Sequence, residues 1–155
     1  MTVNAENCTK KALIAHLFRR AGFGITFDEL ADYLPIDYAD IVEQLLYPEL
    51  QPELDQDVVR RYNIDQNSLM LIESSQANWM YRIINTKRPL EEKIALFWHD
   101  LFATAYSKLN HAKAVVNQTD TFRRCGLGNF RTLLLELSRD PAMIFWLDNK
   151  DNHKG

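Results

Sequence analysis

Cysteine is scarce in this 155-residue chain: Cys8 and Cys125 lie far apart and in no C-x-x-C spacing. Neither a zinc or redox pair nor a disulfide scaffold follows from such a pattern, and both thiols are expected to be reduced. No sign of charge dominates, since 18 lysines and arginines stand against 21 acidic residues for a net of −3. Without an overall positive field, nucleic acid and anionic lipid are not expected partners. No run nears the roughly 18–20 continuous apolar residues that cross a bilayer, so a soluble chain with no membrane span is expected. An alternating apolar and polar pattern of useful length is missing too, and with it the mark of a half-buried strand. What is present is 46% hydrophobic and 25% charged, the balance of an ordinary globular domain. We expect one domain over residues 1–155.

The start, "MTVNAENCTKKALIAHLFRR", imitates an export signal by setting two lysines before a short apolar run. That run, Ala12 to Phe18, is interrupted by His16 and closed by Arg19 and Arg20 with no small-residue cleavage site behind it. A twin-arginine signal needs an apolar segment after the pair, whereas "AGFGITFDELADYL" carries three acidic residues. A cytoplasmic location is therefore expected.

The Gly-x-Gly of "RRAGFG" could cradle a phosphate only with a strand before it and a helix opening on its glycines. Ala12, Leu13, Leu17 and Arg20 recur at helical spacing instead. The segment predicts a helix with Thr9 as N-cap and Gly22, in a left-handed conformation, as its stop. Arg19 and Arg20 suit its negative end, and Thr26 with Glu29 has capping-box spacing for a new helix.

The same grammar runs on. A helix over 27–34 closes at Pro35, and Asp37 caps "YADIVEQLLY", where Ile41, Leu45 and Leu46 form a stripe. Residues 48–67, rich in acid and proline, read as a long connection with at most a short turn of helix. Helical spacing returns at Ser68, with Leu69, Ile72, Gln76, Trp79, Met80 and Ile83 near one face. Pro89 then opens "PLEEKIALFWHDLFATAY", whose apolar residues spread over so broad an arc that the helix must be largely buried. His99 projects opposite Leu90, beside Ala95 and Ala103, whose small side chains let another element approach. Three more helices are expected: His111 to Cys125, stopped by "GLG"; "FRTLLLELS", capped by Asn129; and "PAMIFWLD", opened by Asp140 and Pro141. The sum is an all-α domain, an irregular bundle of about seven or eight helices.

Candidate chemistry is thin. His16, His99, His111 and His153 form no i, i+4 pair and no H-E-x-x-H pattern, so no metal site is predicted. His99 is the one catalytic candidate, set against a structural histidine hydrogen-bonded to a backbone carbonyl. Arg123 and Arg124 before "GLGNF" echo Arg19 and Arg20 before "AGFG". Such pairs match helix dipoles and partner carboxylates; should they converge in space, their planar forks would suit an anion or acidic group. Trp79, Trp98 and Trp146 read as core.

Several ordered segments, "HLFRRAGFGIT", "LEEKIALFWHDLFATAYSKL", "FRRCGLGNFRTLLLELSRDPAMIFWLDN" and the closing "NHKG", resemble the N-terminal part of the bacterial domain-of-unknown-function 1800 family, over nearly the whole chain except residues 48–67. That resemblance implies a longer parent protein, because members continue past this point into a further helical section. The chain is then expected to be an N-terminal portion that docks with the missing C-terminal portion through an exposed apolar surface. The resemblance implies no activity, cofactor or catalytic residues. Members with "WHxHF" carry a second histidine where this chain has Leu101, so a metal pair at 99 and 101 is not expected here. Some relatives carry export signals and are encoded near sulfatase-like proteins. Two functional readings follow: a helical scaffold or interaction module, which we favour, or part of an α-helical enzyme such as a hydrolase, with His99 and the arginine pairs lining a cleft completed by the absent residues. Whether the protein is an enzyme, and with what cofactor, stays open at this point.

Overall fold

The computed structural model describes residues 2–55, 61 and 72–152, with side chains from Cys8 onward. Among them the regular structure is wholly helical: α1 (Thr2–Ala21), α2 (Phe27–Tyr33), α3 (Tyr38–Leu46), α4 (Ile72–Asn85), α5 (Pro89–Leu101), α6 (Tyr106–Leu109), α7 (Ala112–Cys125), α8 (Phe130–Ser138) and α9 (Pro141–Trp146). Two 3-10 turns, Pro48–Leu50 and Asn149–Asp151, accompany them, and Arg61 is helical as well. The domain is all-α, as its periodicity predicts.

Local chemistry sets most of the helix ends. Thr26 and Glu29 form the reciprocal capping box, Glu29 N–H donating to Thr26 Oγ1 at 3.2 Å and Thr26 N–H to Glu29 Oε2 at 3.1 Å. Asp37, Asn129 and Asp140 each accept from a backbone N–H of the first turn they precede, filling donors that a helix start leaves bare. His111 caps α7 in the same way, its Nδ1 accepting from Ala114 N–H at 3.2 Å.

Three expectations need correction. α1 begins at Thr2, so Thr9 is interior rather than a cap; no glycine or proline interrupts 2–21, and nothing there stops the helix from extending backward. Gly22 is not the left-handed stop. Gly24 has the positive φ, +119°, and its N–H reaches Phe18 O at 3.1 Å, while Gly22 is buried where a Cβ would come within 2.9 Å of Pro89 Cβ. α5 ends at Leu101 instead of running to Tyr106, and the short α6 follows. The chain leaves the helix because Thr104 is buried and donates through Oγ1 to Gln118 Oε1 at 2.6 Å. Of the connection at 48–67, residues 51–55 carry no helix and Arg88 holds them, its guanidinium donating to Gln51 O at 2.6 Å and pairing with Glu53 at 3.4 Å. Most of the rest, with Ser68 and Leu69, lies outside the described residues.

Two hydrophobic clusters result. Ile14, Phe18, Ile41 and Leu45 gather α1 and α3, with Leu90 of α5 packed against them. Ala95, Phe122, Leu133 and Leu137 gather α5, α7 and α8, Ala95 being the small residue that lets α7 come close. α5 touches both clusters and is the spine of the domain.

Candidate functional site

Between α4, α5 and α7 lies a cleft of about 1230 Å³. α4 lines it with Ile72, Gln76, Trp79, Met80 and Ile83, the face whose periodicity predicts packing. No described side chain of α4 is fully buried, because that face looks into the cleft instead of onto a neighbouring helix. α7 supplies Val116, Thr119, Asp120 and Arg123 from the opposite wall, and α5 supplies Leu96 and His99 between them. Thr104 and Tyr106 line it from the turn into α6.

Glu92 anchors the walls. It stands in the first turn of α5, where a carboxylate suits the helix dipole, yet it is only 1% exposed. Its Oε2 accepts from Trp79 Nε1 at 2.8 Å and its Oε1 from Arg123 Nε at 2.8 Å, with Arg82 Nη1 4.0 Å away. Arg123 also donates to Asp120, and its guanidinium lies over the Trp79 ring at 5.7 Å. A buried carboxylate is tolerable only when its lone pairs are met by donors, and here they come from α4 and α7 together. Below this set, Gln118 Nε2 donates to Asp140 Oδ1 at 2.9 Å, and the same oxygen accepts from Met143 N–H at 2.9 Å. Burial pushes the Asp140 carboxyl up from its ordinary pKa.

His99 sits edge-on to two rings, Trp79 at 5.4 Å and Phe122 at 6.5 Å between centroids. Burial pulls its imidazole below the ordinary 6.5, against an upward pull from Asp100. Its Nδ1 is buried and has no hydrogen-bond partner among the described residues, so the backbone-bonded histidine expected from sequence is not what stands here at this atom. A buried N–H without an acceptor is the rarer orphan. The neutral ring is thus assigned its proton on Nε2, with Nδ1 a bare lone pair.

The other sequence candidates are placed apart. Arg124 is exposed and meets Glu136 at 3.3 Å. Arg19 is exposed, and Arg20 borders a small depression of about 320 Å³ beside Leu17, Val42 and Leu46. His16 is exposed, and His153 lies outside the described residues. The structure thus joins His99 with Arg123 and leaves Arg19, Arg20 and Arg124 outside the cleft. Sequence reasoning missed Arg82, Asp120 and the burial of Glu92. A signal existed for Glu92: it precedes His99 by seven residues, which puts both on one helical face. Among the described residues no group of three or more His, Cys, Asp or Glu is placed to hold a metal ion, and no helix is long and apolar enough to cross a membrane.

A sequence model of the family described as "Protein of unknown function (DUF1800)" matches residues 16–155. The chain belongs to the DUF1800 family. Comparison with curated proteins and with solved structures gives no match. In this DUF1800 chain Leu101 is 59% exposed, and two residues' separation sets it on the far side of α5 from His99.

Proposed function

We propose that this DUF1800 domain is a helical scaffold and interaction module, and that its cleft receives part of the further helical section carried by longer members of the family. One observation carries the reading: the cation set deepest between the walls, Arg123, is already committed to carboxylates of the domain. Glu92 and Asp120 hold it, so it braces two walls and is not a free clamp for a substrate anion. The apolar side chains left over, Met80 and Ile83 among them, are what a packed helix would cover. We place the module in the cytoplasm, in keeping with free thiols at Cys8 and Cys125. Hydrogen exchange compared between a longer DUF1800 member and its own N-terminal portion tests this. Amides matching α4 are expected to exchange at least about tenfold more slowly in the longer protein; equal exchange in the two would sink the reading.

A second reading, that the domain forms part of an enzyme, draws support from His99, a neutral imidazole lining a cleft with its Nδ1 unpaired. His99→Ala in the same longer member separates the two on a panel of ester, glycoside and phosphoester substrates. Lost hydrolysis at an unchanged melting temperature favours the enzyme; lost thermal stability at unchanged hydrolysis favours the brace.

A further inference from the structure

Away from the cleft, α5 and α8 leave an apolar strip uncovered. Phe97 and Leu101, one turn apart on α5, are 53% and 59% exposed, and Phe130 and Leu134, one turn apart on α8, are 53% and 41% exposed. Trp98 joins the pairs, its ring 4.9 Å from Phe97 and stacked at 5.7 Å on Phe130. The strip is therefore continuous across both helices, on the side of α5 turned away from His99.

Its two edges carry opposite charges. Asp100 lies roughly 60° round α5 from Phe97, on the side away from Leu101. Arg131 lies roughly 60° round α8 from Leu134, on the side away from Phe130. Both are exposed, and neither makes an ion pair among the described residues. Each also stands at the wrong end of its own helix. Asp100 is in the last turn of α5 and Arg131 in the first turn of α8, where the helix dipole disfavours its sign. Lys93, the other charge on this side of α5, is drawn off over the Phe23 ring at 4.9 Å.

We propose that this strip is the interface of a two-fold dimer with a second copy of the chain, in which Asp100 of each copy meets Arg131 of the other. An isologous contact requires a surface complementary to itself, residue i meeting j and j meeting i. A strip that is apolar in the middle, with Asp100 at one edge and Arg131 at the other, meets that requirement. The two charges that their own helices disfavour, unpaired among the described residues, gain partners across the dimer. The inference is independent of the proposed occupant of the cleft, which uses the opposite side of α5.

Sedimentation equilibrium on the full 155-residue chain, from about 1 to about 300 µM, tests it. A monomer–dimer equilibrium is expected. Asp100→Arg or Arg131→Asp alone sets like charges together twice and is expected to raise the dissociation constant at least about tenfold, while the double reversal brings it back within about threefold of the parent. Leu101→Arg, at an exposed site that folding does not need, is expected to abolish the dimer. Circular dichroism confirms that each variant is folded. A monomer throughout the range overturns the proposal and assigns the strip to a different partner. A dimer indifferent to the reversals, or a double reversal that fails to restore it, overturns it equally.

Discussion

Around α1 and α3, Ile14, Phe18, Ile41 and Leu45 meet with no polar group buried among them, whereas Ala95, Phe122, Leu133 and Leu137 share their half of the domain with Glu92, Gln118 and Asp140. Every buried polar residue among those described, Thr104 and Thr119 included, lies from Glu92 onward. The first core needs only shape and apolar surface, which many side chains of similar volume supply. The second depends on named partners at named distances, because each polar group carried inside must find its donor or acceptor there. The cleft opens in the second half for this reason: α4 reaches α5 partly through the hydrogen bond from Trp79 to Glu92, leaving much of its apolar face uncovered.

The largest expected effect breaks that contrast from the polar side. Arg123→Met leaves the Glu92 carboxylate buried without its nearest guanidinium, a change that costs about 3–5 kcal/mol of stability. Adding Glu92→Gln removes the charge while keeping an acceptor for Trp79 Nε1, and the double variant is expected to recover more than half of the loss. In the apolar core, Ile41→Ala costs about 2–5 kcal/mol through a cavity, and no second polar substitution recovers it. Urea denaturation of the three variants measures both. Failure of Glu92→Gln to rescue Arg123→Met would show that packing, not charge pairing, holds the second half together.

How much of this is legible in the sequence follows the same division. Thr26, Asp37, Asn129 and Asp140 act within three residues of themselves, so a local reading finds them and the helices they start. The α3 side of the first core is readable from the spacing of Ile41 and Leu45, but on α1 the spacing of Ala12, Leu13 and Leu17 picks the wrong face, since Ile14 and Phe18 are the buried pair. What spans distance is not. Thr104 ends α5 by reaching a residue fourteen positions away, and nothing beside it in the chain says so. Arg123 and Arg124 look identical as neighbours, yet a turn of roughly 100° sends one into the cleft and the other to the surface. The face of α4 was readable as apolar, but periodicity cannot tell a face that meets a helix from one that meets a cleft.

A middle-sized effect probes how tightly the second half is closed. At Gly126 an added Cβ would stand 2.4 Å from Phe122 O and 2.8 Å from both Ile94 Cγ2 and Trp98 Cδ1. Backbone and two packed side chains cannot all yield, so Gly126→Ala is expected to cost about 1–3 kcal/mol by forcing α5 from the end of α7. At Gly128 the nearest atom is Cys125 O at 3.3 Å, and Gly128→Ala should cost clearly less. Thermal melts of the pair order the two sites; equal losses would mean that the close approach at Gly126 is not what the glycine is for.

The smallest effect separates the halves by pH. His99, in the cleft, has its pKa held below 6.5 by burial, so the unfolded chain binds more protons than the folded one between that lowered value and 6.5. Stability from this group is therefore complete above 6.5 and drains away as pH falls through the window beneath it. His16 and His111 are exposed and serve as an internal background common to both proteins. Subtracting the curve for His99→Gln from that of the parent should leave a difference that is flat at neutral pH and bends downward on acidification, and α4 should lose its exchange protection before α1 does. A difference curve that stays flat would mean that the imidazole is as well solvated folded as unfolded, and that the polar half owes nothing to keeping this ring neutral.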